Sequence, residues 1–265
     1  MHIHFTDPYR SGASLIHRLD PRTKMLCTLA FILATSLMPA GEWLHYALLL
    51  CVPLFVSGLA GLGLRYVLKR SFVALPFALA AITLPFTVPG PTLVTLPIFG
   101  GIALSAEGTV RFLSVVLKSW ISVQMAILLV ATTSFPDLLW ALRALRVPRV
   151  LVSIVGLMYR YIFVLADEAM RLTRARAARS GERAGSQSGG SIIWRGKVAG
   201  GMVGNLALRS FERSERIYDA MVARGYAGES RHFAPPRLSP NDVTALASLF
   251  AFLVLMLATG LLLGR

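Results

Sequence analysis

Long apolar runs separated by short polar segments constrain the fold of this chain more than any other feature. Five such runs occur, at residues 25–38, 43–62, 72–88, 112–132 and 243–263. A helix needs about 20 apolar residues to cross the hydrocarbon core of a bilayer, and it satisfies its own backbone hydrogen bonds there. The runs therefore predict an all-α integral membrane protein with about five transmembrane helices.

The first run is the shortest, but the residues before it favour an early helix start. Asp20 is typical of an N-cap and Pro21 of a first helical residue, so this helix can begin before the bilayer core and cross it with a tilt. The composition agrees with membrane insertion, because 55% of the residues are hydrophobic and only 15% are charged. Cys27 and Cys51 lie inside apolar runs, where they indicate neither a disulfide nor a metal site.

Basic residues outnumber acidic residues by 27 to 13, which gives a net charge of +14. In a membrane protein this excess marks cytoplasmic loops and contacts with anionic lipids, so nucleic-acid binding is not predicted. Basic residues within 18–24, 65–70 and 143–149 place the N-terminus and two further segments in the cytoplasm. The uncharged segment 87–105 is expected outside.

Residues 150–166 are apolar enough for a sixth span, but the charge pattern favours a cytoplasmic position. A crossing there would place residues 167–237 outside, with 13 basic residues against 7 acidic residues. We therefore predict a cytoplasmic N-terminal segment (1–24), a four-helix transmembrane part (25–134), a cytoplasmic domain (135–238) and a C-terminal transmembrane helix (239–265).

The cytoplasmic domain is predicted to contain a short helix at 136–147 and two long helices at 149–180 and 192–225, joined by a Gly/Ser-rich hinge. One face of the first long helix carries an apolar stripe with steps of three and four residues, formed by Leu151, Val155, Met158, Ile162 and Leu165. On the other side, Asp167 and Glu168 have arginine neighbours, which favours a solvated, salt-bridged face over a paired-carboxylate site.

Small residues recur on the second long helix at steps of three and four residues. They are Gly196, Gly200, Gly204 and Ala207. Such spacing lets another helix approach the backbone closely, so we predict that the two long helices cross there. A loosely ordered glycine-rich stretch is the alternative that the sequence leaves open.

Both long helices end in a similar tripeptide, Ala178-Arg179-Ser180 in the first and Ala223-Arg224-Gly225 in the second. Either ending by itself is typical of an ordinary helix C-cap. Two such arginine tips in the large polar region of a membrane protein instead indicate docking, in which each arginine pairs with a carboxylate in a groove of a partner.

Three stretches resemble one family across nearly the whole chain: SLIHRLDPRTKMLCTLAFILA, FPDLLWALRALRVPRVLVSIVGLMYRYIFVLADEAMRLTRARAARS and LALRSFERSERIYDAMVARGY. They are similar to the transmembrane T component of energy-coupling factor transporters, and in particular to its cobalt-type member, CbiQ. The resemblance implies a non-catalytic subunit whose cytoplasmic coupling helices cross in an X. It also implies a multi-pass protein of a prokaryotic plasma membrane, which is the inner membrane in a Gram-negative cell.

The resemblance further implies the partners of the chain. Arg179 and Arg224 would each dock in a groove of one of two CbiO-like ATPase subunits, which bind ATP and Mg²⁺, whereas this chain would bind no cofactor itself. A substrate-binding membrane subunit similar to CbiM would rest on the apolar stripe, and a small CbiN-like subunit can accompany it. One departure is Ser180, where the family has glycine; it puts the local cap geometry in question but keeps the arginine.

The residues themselves do not select the transported substrate, since another subunit binds it in this architecture. Cobalt follows from the cobalt-type resemblance, and nickel, biotin or several vitamins served by one T component are the alternatives.

Other functions have weaker support in the sequence. The segment GGSIIWRGKV has the wrong glycine spacing for a P-loop, and Val198 stands where that loop needs Ser or Thr. Neither H-E-x-x-H nor G-x-S-x-G occurs, so an intramembrane enzyme is a distant alternative and no catalytic residue is assigned. His2 beside the N-terminal amine could chelate a transition metal, but its predicted cytoplasmic position argues against metal capture from outside. No metal site is assigned.

Overall fold

The computed structural model describes residues 9–96, 102–179, 191–228 and 238–263. Over these residues the regular secondary structure is helical apart from one two-stranded ribbon, which confirms the predicted all-α membrane class. The chain divides into two compact units, one formed by residues 6–145 and 235–265 and the other by residues 146–234 with residues 1–5.

In chain order the elements are α1 (Leu15–Arg18), α2 (Pro21–Leu37), α3 (Trp43–Leu59), α4 (Leu64–Arg70), a 3₁₀ turn (Ser71–Ala74), α5 (Leu75–Ala81), α6 (Leu84–Thr87), β1 (Thr92–Leu96), β2 (Ile102–Ser105), α7 (Ala106–Thr132), α8 (Phe135–Ala144), α9 (Arg149–Arg179), α10 (Ile192–Ala223) and α11 (Pro240–Leu263). Helices α9 and α10 belong to the smaller unit, and the other elements belong to the larger one. The bounds of α9 and α10 lie within two residues of the predicted long helices.

The core of the larger unit lies where α2, α3, α7 and α11 meet. Its most buried apolar side chains include Phe31, Leu49, Ile121 and Leu128, and Leu253 adds the contribution of α11. Many side chains on the outer surface of these helices are large, apolar and exposed. That distribution is the one expected when lipid, rather than water, covers the outside of the bundle.

A buried carboxylate joins the beginnings of two helices that are far apart in sequence. Asp20 caps α2, since its Oδ1 accepts a hydrogen bond from the Arg22 N–H at 2.8 Å, and Pro21 is the first helical residue as predicted. Asp242 accepts from the Asp20 N–H at 2.8 Å and from the Ser239 N–H at 2.7 Å. One side chain thereby satisfies backbone donors at the starts of both α2 and α11.

The third apolar run, predicted as one span at 72–88, is not a continuous helix. It is divided among the 3₁₀ turn, α5 and α6, and the helices before and after the break are bent by 45°. Pro76 and Pro85 each lie in the first turn of a new helix, where their missing N–H groups cost nothing. The two prolines therefore restart the helix within the run.

The fourth run begins earlier than predicted. Helix α7 starts at Ala106 rather than near residue 112, because Ser105 accepts a hydrogen bond from the Gly108 N–H at 3.3 Å and caps it. Lys118 of α7 faces protein, since its Nζ donates to the carbonyl oxygens of Ser36 and Met38 at the C-terminal end of α2. Before α7, β1 and β2 pair as an antiparallel ribbon that the apolar pattern did not predict.

Length and hydropathy alone allow three described helices to cross a membrane, at Ala106–Thr132, Arg149–Arg179 and Pro240–Leu262, with the bent pair in the third run as a fourth. Helix α3 is apolar but has only 17 residues. Helix α9 is also long and apolar enough, although the charge pattern predicts a cytoplasmic position. None of the residues in its most apolar stretch is buried within the chain. The count of five spans therefore stays a prediction.

Replacing Gly108 with alanine tests the packing of α6 against α7. An added Cβ at Gly108 would lie 2.5 Å from the Leu84 carbonyl oxygen and 2.8 Å from the Pro85 Cα, and backbone atoms cannot move aside cheaply. We expect Gly108→Ala to lower the free energy of unfolding by about 1 to 3 kcal/mol. The measurement is the melting temperature of the purified protein in detergent.

Gly58→Ala is the matched control, because Gly58 lies in a helix and an added Cβ there meets no atom within 4 Å. It should leave the melting temperature unchanged or slightly raised. Equal losses in the two variants would contradict the close approach of α6 to α7.

Candidate functional site

The second predicted arginine tip is a well-formed helix terminus. Gly225 has φ of 80°, the left-handed conformation that favours glycine, and its N–H donates to Val222 O at 2.9 Å. The Tyr226 N–H donates to Met221 O at 2.9 Å, and together these bonds form a Schellman motif. The motif holds Arg224 at the end of α10 with its side chain exposed.

The first predicted tip is described up to its arginine. Arg179 is the last residue of α9, and both Arg179 and Ala178 are exposed. Ser180 and the predicted hinge up to residue 190 lie outside the described residues, so the cap beyond Arg179 is not assigned. Both long helices therefore end in an exposed arginine, as predicted, with Ala223 exposed beside the second one.

The two long helices contact each other around the buried carboxylate of Glu168. Its Oε1 accepts a hydrogen bond from Arg209 Nη1 of α10 at 3.2 Å, and its Oε2 pairs with Arg171 on its own helix. Arg213 Nη2 lies 3.8 Å from the same Oε2. Glu168 lies near the middle of α9, and its side chain is 11% exposed. We call Glu168, Arg171, Arg209 and Arg213 the arginine–glutamate cluster.

The sequence predicted only part of this cluster. Pairing of Glu168 with Arg171 was expected, but on a solvated face of α9, whereas the structure buries Glu168 against α10. The missed signal is the spacing of Arg209 and Arg213, which puts two cations on one face of α10. An acidic residue on the first long helix and two basic residues on one face of the second form a pattern that predicts contact between the two helices.

The predicted crossing at the small residues of α10 is wrong within this chain. An added Cβ at Gly196, Gly200 or Gly204 meets no atom within 4 Å, and Ala207 is exposed. The half-buried positions of α10 are Val198, Met202, Leu206, Ser210, Arg213, Ile217 and Met221, which follow a different helical face. The small residues therefore point away from α9, because the larger side chains and the arginine–glutamate cluster make the contact.

The apolar stripe of α9 is left largely uncovered in the smaller unit. Leu151, Met158 and Ile162 are 54%, 61% and 54% exposed, and Val155 and Leu165 are half-buried. Exposed apolar side chains in such a continuous row are typical of a surface that another protein or a lipid covers. Within the described residues of the smaller unit, this stripe and the small-residue face of α10 are therefore both left uncovered.

No group of three or more His, Cys, Asp or Glu side chains in the described part of the chain is arranged to hold a metal ion. His17 Nδ1 lies 2.7 Å from Ser14 Oγ, and His45 Nδ1 lies 3.0 Å from Glu42 Oε2. Both histidines therefore have partners within the fold. His2, which raised the question of metal chelation, lies outside the described residues.

Residues 12–234 match the family model of CbiQ, described as cobalt transport protein. The cobalt transport protein CbiQ of Rhodobacter capsulatus is 31% identical over 70% of this chain and 73% of its own length. The energy-coupling factor transporter transmembrane protein EcfT of Thermosediminibacter oceani is 29% identical over 96% of this chain and 93% of its own length. An uncharacterized protein of Methanocaldococcus jannaschii is 26% identical over 94% of this chain and 84% of its own length.

The family match covers far more than half of the 265 residues, and the Rhodobacter relative exceeds 30% identity over more than two thirds of the chain. Members of this family are non-catalytic membrane subunits of transporters. The chain therefore belongs to the CbiQ family and is a transmembrane T component of an energy-coupling factor transporter.

Proposed function

We propose that this T component transmits ATP-driven motion from two ATPase subunits to a substrate-binding membrane subunit through α9 and α10. The observation that carries the proposal is that both long helices end in an exposed arginine and are joined near their middles by a buried carboxylate. Because α9 and α10 contact each other, a movement of their arginine ends can change the angle between the two helices. Such a change would also move the helix faces that contact other subunits.

Each tip is suited to a groove that carries acidic groups. Arg224 extends from a helix end that Gly225 fixes, so the guanidinium is presented on a rigid support and loses little conformational freedom on docking. Removing one partner of a buried arginine–carboxylate pair weakens binding by about 2 to 5 kcal/mol. Arg179 and Arg224, together with Ala178, Ser180, Ala223 and Gly225, are therefore proposed as the ATPase-docking residues.

The arginine–glutamate cluster would keep α9 and α10 in contact while they move. Glu168 contacts arginines of both helices, and an ion pair tolerates small changes of crossing angle better than interlocked apolar side chains do. The uncovered stripe on α9 and the small-residue face of α10 are proposed as the surfaces under the substrate-binding subunit. In this scheme ATP and Mg²⁺ are bound by the ATPases, and no cofactor is bound by this chain.

Co²⁺ is the proposed cargo of the complete transporter. Support comes from the description of the matching family and from the name of the Rhodobacter relative, whereas the relatives named EcfT carry no substrate in their names. A CbiO-like ATPase, a CbiM-like substrate subunit and a CbiN-like small subunit would accompany the chain in the plasma membrane of a prokaryote, with its N-terminus in the cytoplasm. Nickel, biotin and several vitamins are the alternatives, and uptake of radioactive Co²⁺ against Ni²⁺ by cells that express the whole transporter separates the two metals.

Reversing both tip charges should release the ATPases. The double variant Arg179→Glu, Arg224→Glu would place two anions against the proposed acidic grooves, and we expect co-purification of the ATPase subunits to fall by about tenfold or more. The matched control is Arg174→Glu, Arg216→Glu, which changes the same charges at exposed arginines within α9 and α10 rather than at their ends. The measurement is the amount of ATPase retained on the affinity-purified T component.

Retention of the ATPases by the tip variant, with full transport, would show that the two arginines are only helix caps. An equal loss in the control variant would contradict docking at the tips and assign the effect to overall charge.

Removing the charge of Glu168 should loosen the contact between α9 and α10. Glu168→Gln leaves the arginines of the cluster without their anion, and we expect a loss of about 1 to 2 kcal/mol in the stability of this contact, because the arginines themselves stay partly in water. Hydrogen exchange of the α9 and α10 amides measures the loss. Transport should fall while the ATPases still co-purify, because the tips are intact.

The exposed neighbour provides the control, since Asp167→Asn removes the same charge one residue away and should change neither measurement. The double variant Glu168→Arg, Arg209→Glu exchanges the two charges. It should restore part of the protection of the α9 and α10 amides from hydrogen exchange that Glu168→Gln loses. Unchanged amide exchange in Glu168→Gln would contradict a joining role for the cluster.

A further inference from the structure

A shallow pocket of about 500 Å³ lies on the larger unit where α4 passes into the broken third run. It is lined by Tyr66, Lys69, Arg70, Phe72 and Val73. Two of the lining residues, Lys69 and Arg70, are basic, and two, Phe72 and Val73, are apolar. Nothing in the proposed coupling mechanism uses these residues.

Two guanidinium groups are held around the ring of Tyr66. The Arg10 Cζ lies 4.0 Å from the ring centroid and the Arg70 Cζ lies 5.1 Å from it, and Arg70 Nη1 also donates to the Tyr66 hydroxyl at 2.5 Å. Cation–π contacts of this kind orient an arginine while leaving N–H donors of its fork available. Arg10 is not itself a lining residue, and Lys69, which lines the pocket next to Arg70 in sequence, adds a third positive charge.

The fold itself fixes Arg10 in place. Its backbone N–H donates to Ala131 O at 3.0 Å, near the end of α7, and its carbonyl oxygen lies 2.9 Å from His17 Nε2. Ser14 Oγ contacts the other ring nitrogen of His17 at 2.7 Å. With Nε2–H as donor and Nδ1 as acceptor, both contacts of the imidazole are satisfied. Arg10 therefore reaches Tyr66 from a segment that is anchored on both sides.

The two basic residues that line the pocket, Lys69 and Arg70, lack acidic neighbours in the surrounding sequence. No Asp or Glu occurs from residue 43 to residue 106, a stretch that contains all of the residues lining the pocket. Arg10 and Arg70 lie around one ring and repel each other unless an anion lies between them. The arrangement thus favours an anionic ligand.

The apolar residues of the pocket lining favour acyl chains. Phe72 and Val73 are 63% and 69% exposed, and they begin the apolar run that enters the membrane. Exposed apolar side chains next to basic residues at the start of a membrane segment are typical of the interface between hydrocarbon and headgroups. A small free anion would leave this apolar side unused.

We propose that this pocket binds an anionic phospholipid of the cytoplasmic leaflet. The lipid phosphate lies among Arg10, Lys69 and Arg70, and an acyl chain follows Phe72 and Val73. Both ends of the ligand then meet matching chemistry, as in other basic pockets at the cytoplasmic ends of transmembrane helices. Because Arg10 and Tyr66 come from segments on either side of α2 and α3, the bound lipid would also tie the N-terminal segment to α4.

The test uses the purified full chain in detergent micelles and native mass spectrometry with added phosphatidylglycerol or phosphatidylcholine. We expect the unaltered protein to retain phosphatidylglycerol in preference to phosphatidylcholine. The double variant Arg10→Gln, Arg70→Gln should bind phosphatidylglycerol about 25-fold more weakly, which is about fivefold for each charge removed. The melting temperature without added lipid checks that the variant folds, and Lys69→Gln provides a milder second variant that should lose about fivefold.

The matched control is Arg18→Gln, Arg65→Gln, which removes two exposed arginines of the same unit that do not line the pocket. It should retain phosphatidylglycerol within about twofold of the unaltered protein. Equal losses in the two double variants, or full retention by Arg10→Gln, Arg70→Gln, would overturn the proposal. Displacement of the lipid by inorganic phosphate as readily as by more phosphatidylglycerol would overturn it too, since the site would then recognise a free anion.

Discussion

Inside a bilayer no water is available to a backbone donor, an acceptor or a charge, and the larger unit is arranged around that constraint. Backbone N–H and C=O groups within a helix bond to each other, so the groups that still need partners are those at helix ends and the charged side chains. Asp242 accepts from N–H groups at the starts of two helices, and Lys118 donates to the carbonyl oxygens that end α2. Other charges, among them those at the tips of α9 and α10 and around Tyr66, stay exposed on the described surface.

Much of this fold follows from short-range chemistry and could be predicted from the sequence. Pro21 after Asp20, Ser191 before α10 and Gly225 after it each act on the residues immediately beside them, so the start of α2 and both ends of α10 could be predicted to within a few residues. The arginine tips follow from the same logic, because a helix end and an exposed side chain are both local properties. Their proposed role in docking rests on the family resemblance, because geometry alone does not specify a function for them.

The features that could not be predicted depend on residues far apart in the chain. The four-residue spacing of Gly196, Gly200 and Gly204 shows that a helix face is small, but not whether that face meets α9 or another subunit. Burial of Glu168 depends on arginines about 40 residues later, on a helix whose orientation the sequence does not give. The third run has a continuous hydropathy pattern, but hydropathy does not register the missing N–H groups of Pro76 and Pro85, which divide the helix.

The contact between Asp20 and Asp242 also sets an order of events during synthesis. These residues are separated by 222 positions, and Leu253 of α11 completes a core whose other members come from α2, α3 and α7. A ribosome releases α2 long before it makes α11, so the early helices must wait in the membrane with an unpaired donor at Asp20 and an open groove in their core. Both α9 and α10 are made in that interval. Packing of α9 against α10 therefore has time to begin before α11 completes the core of the larger unit.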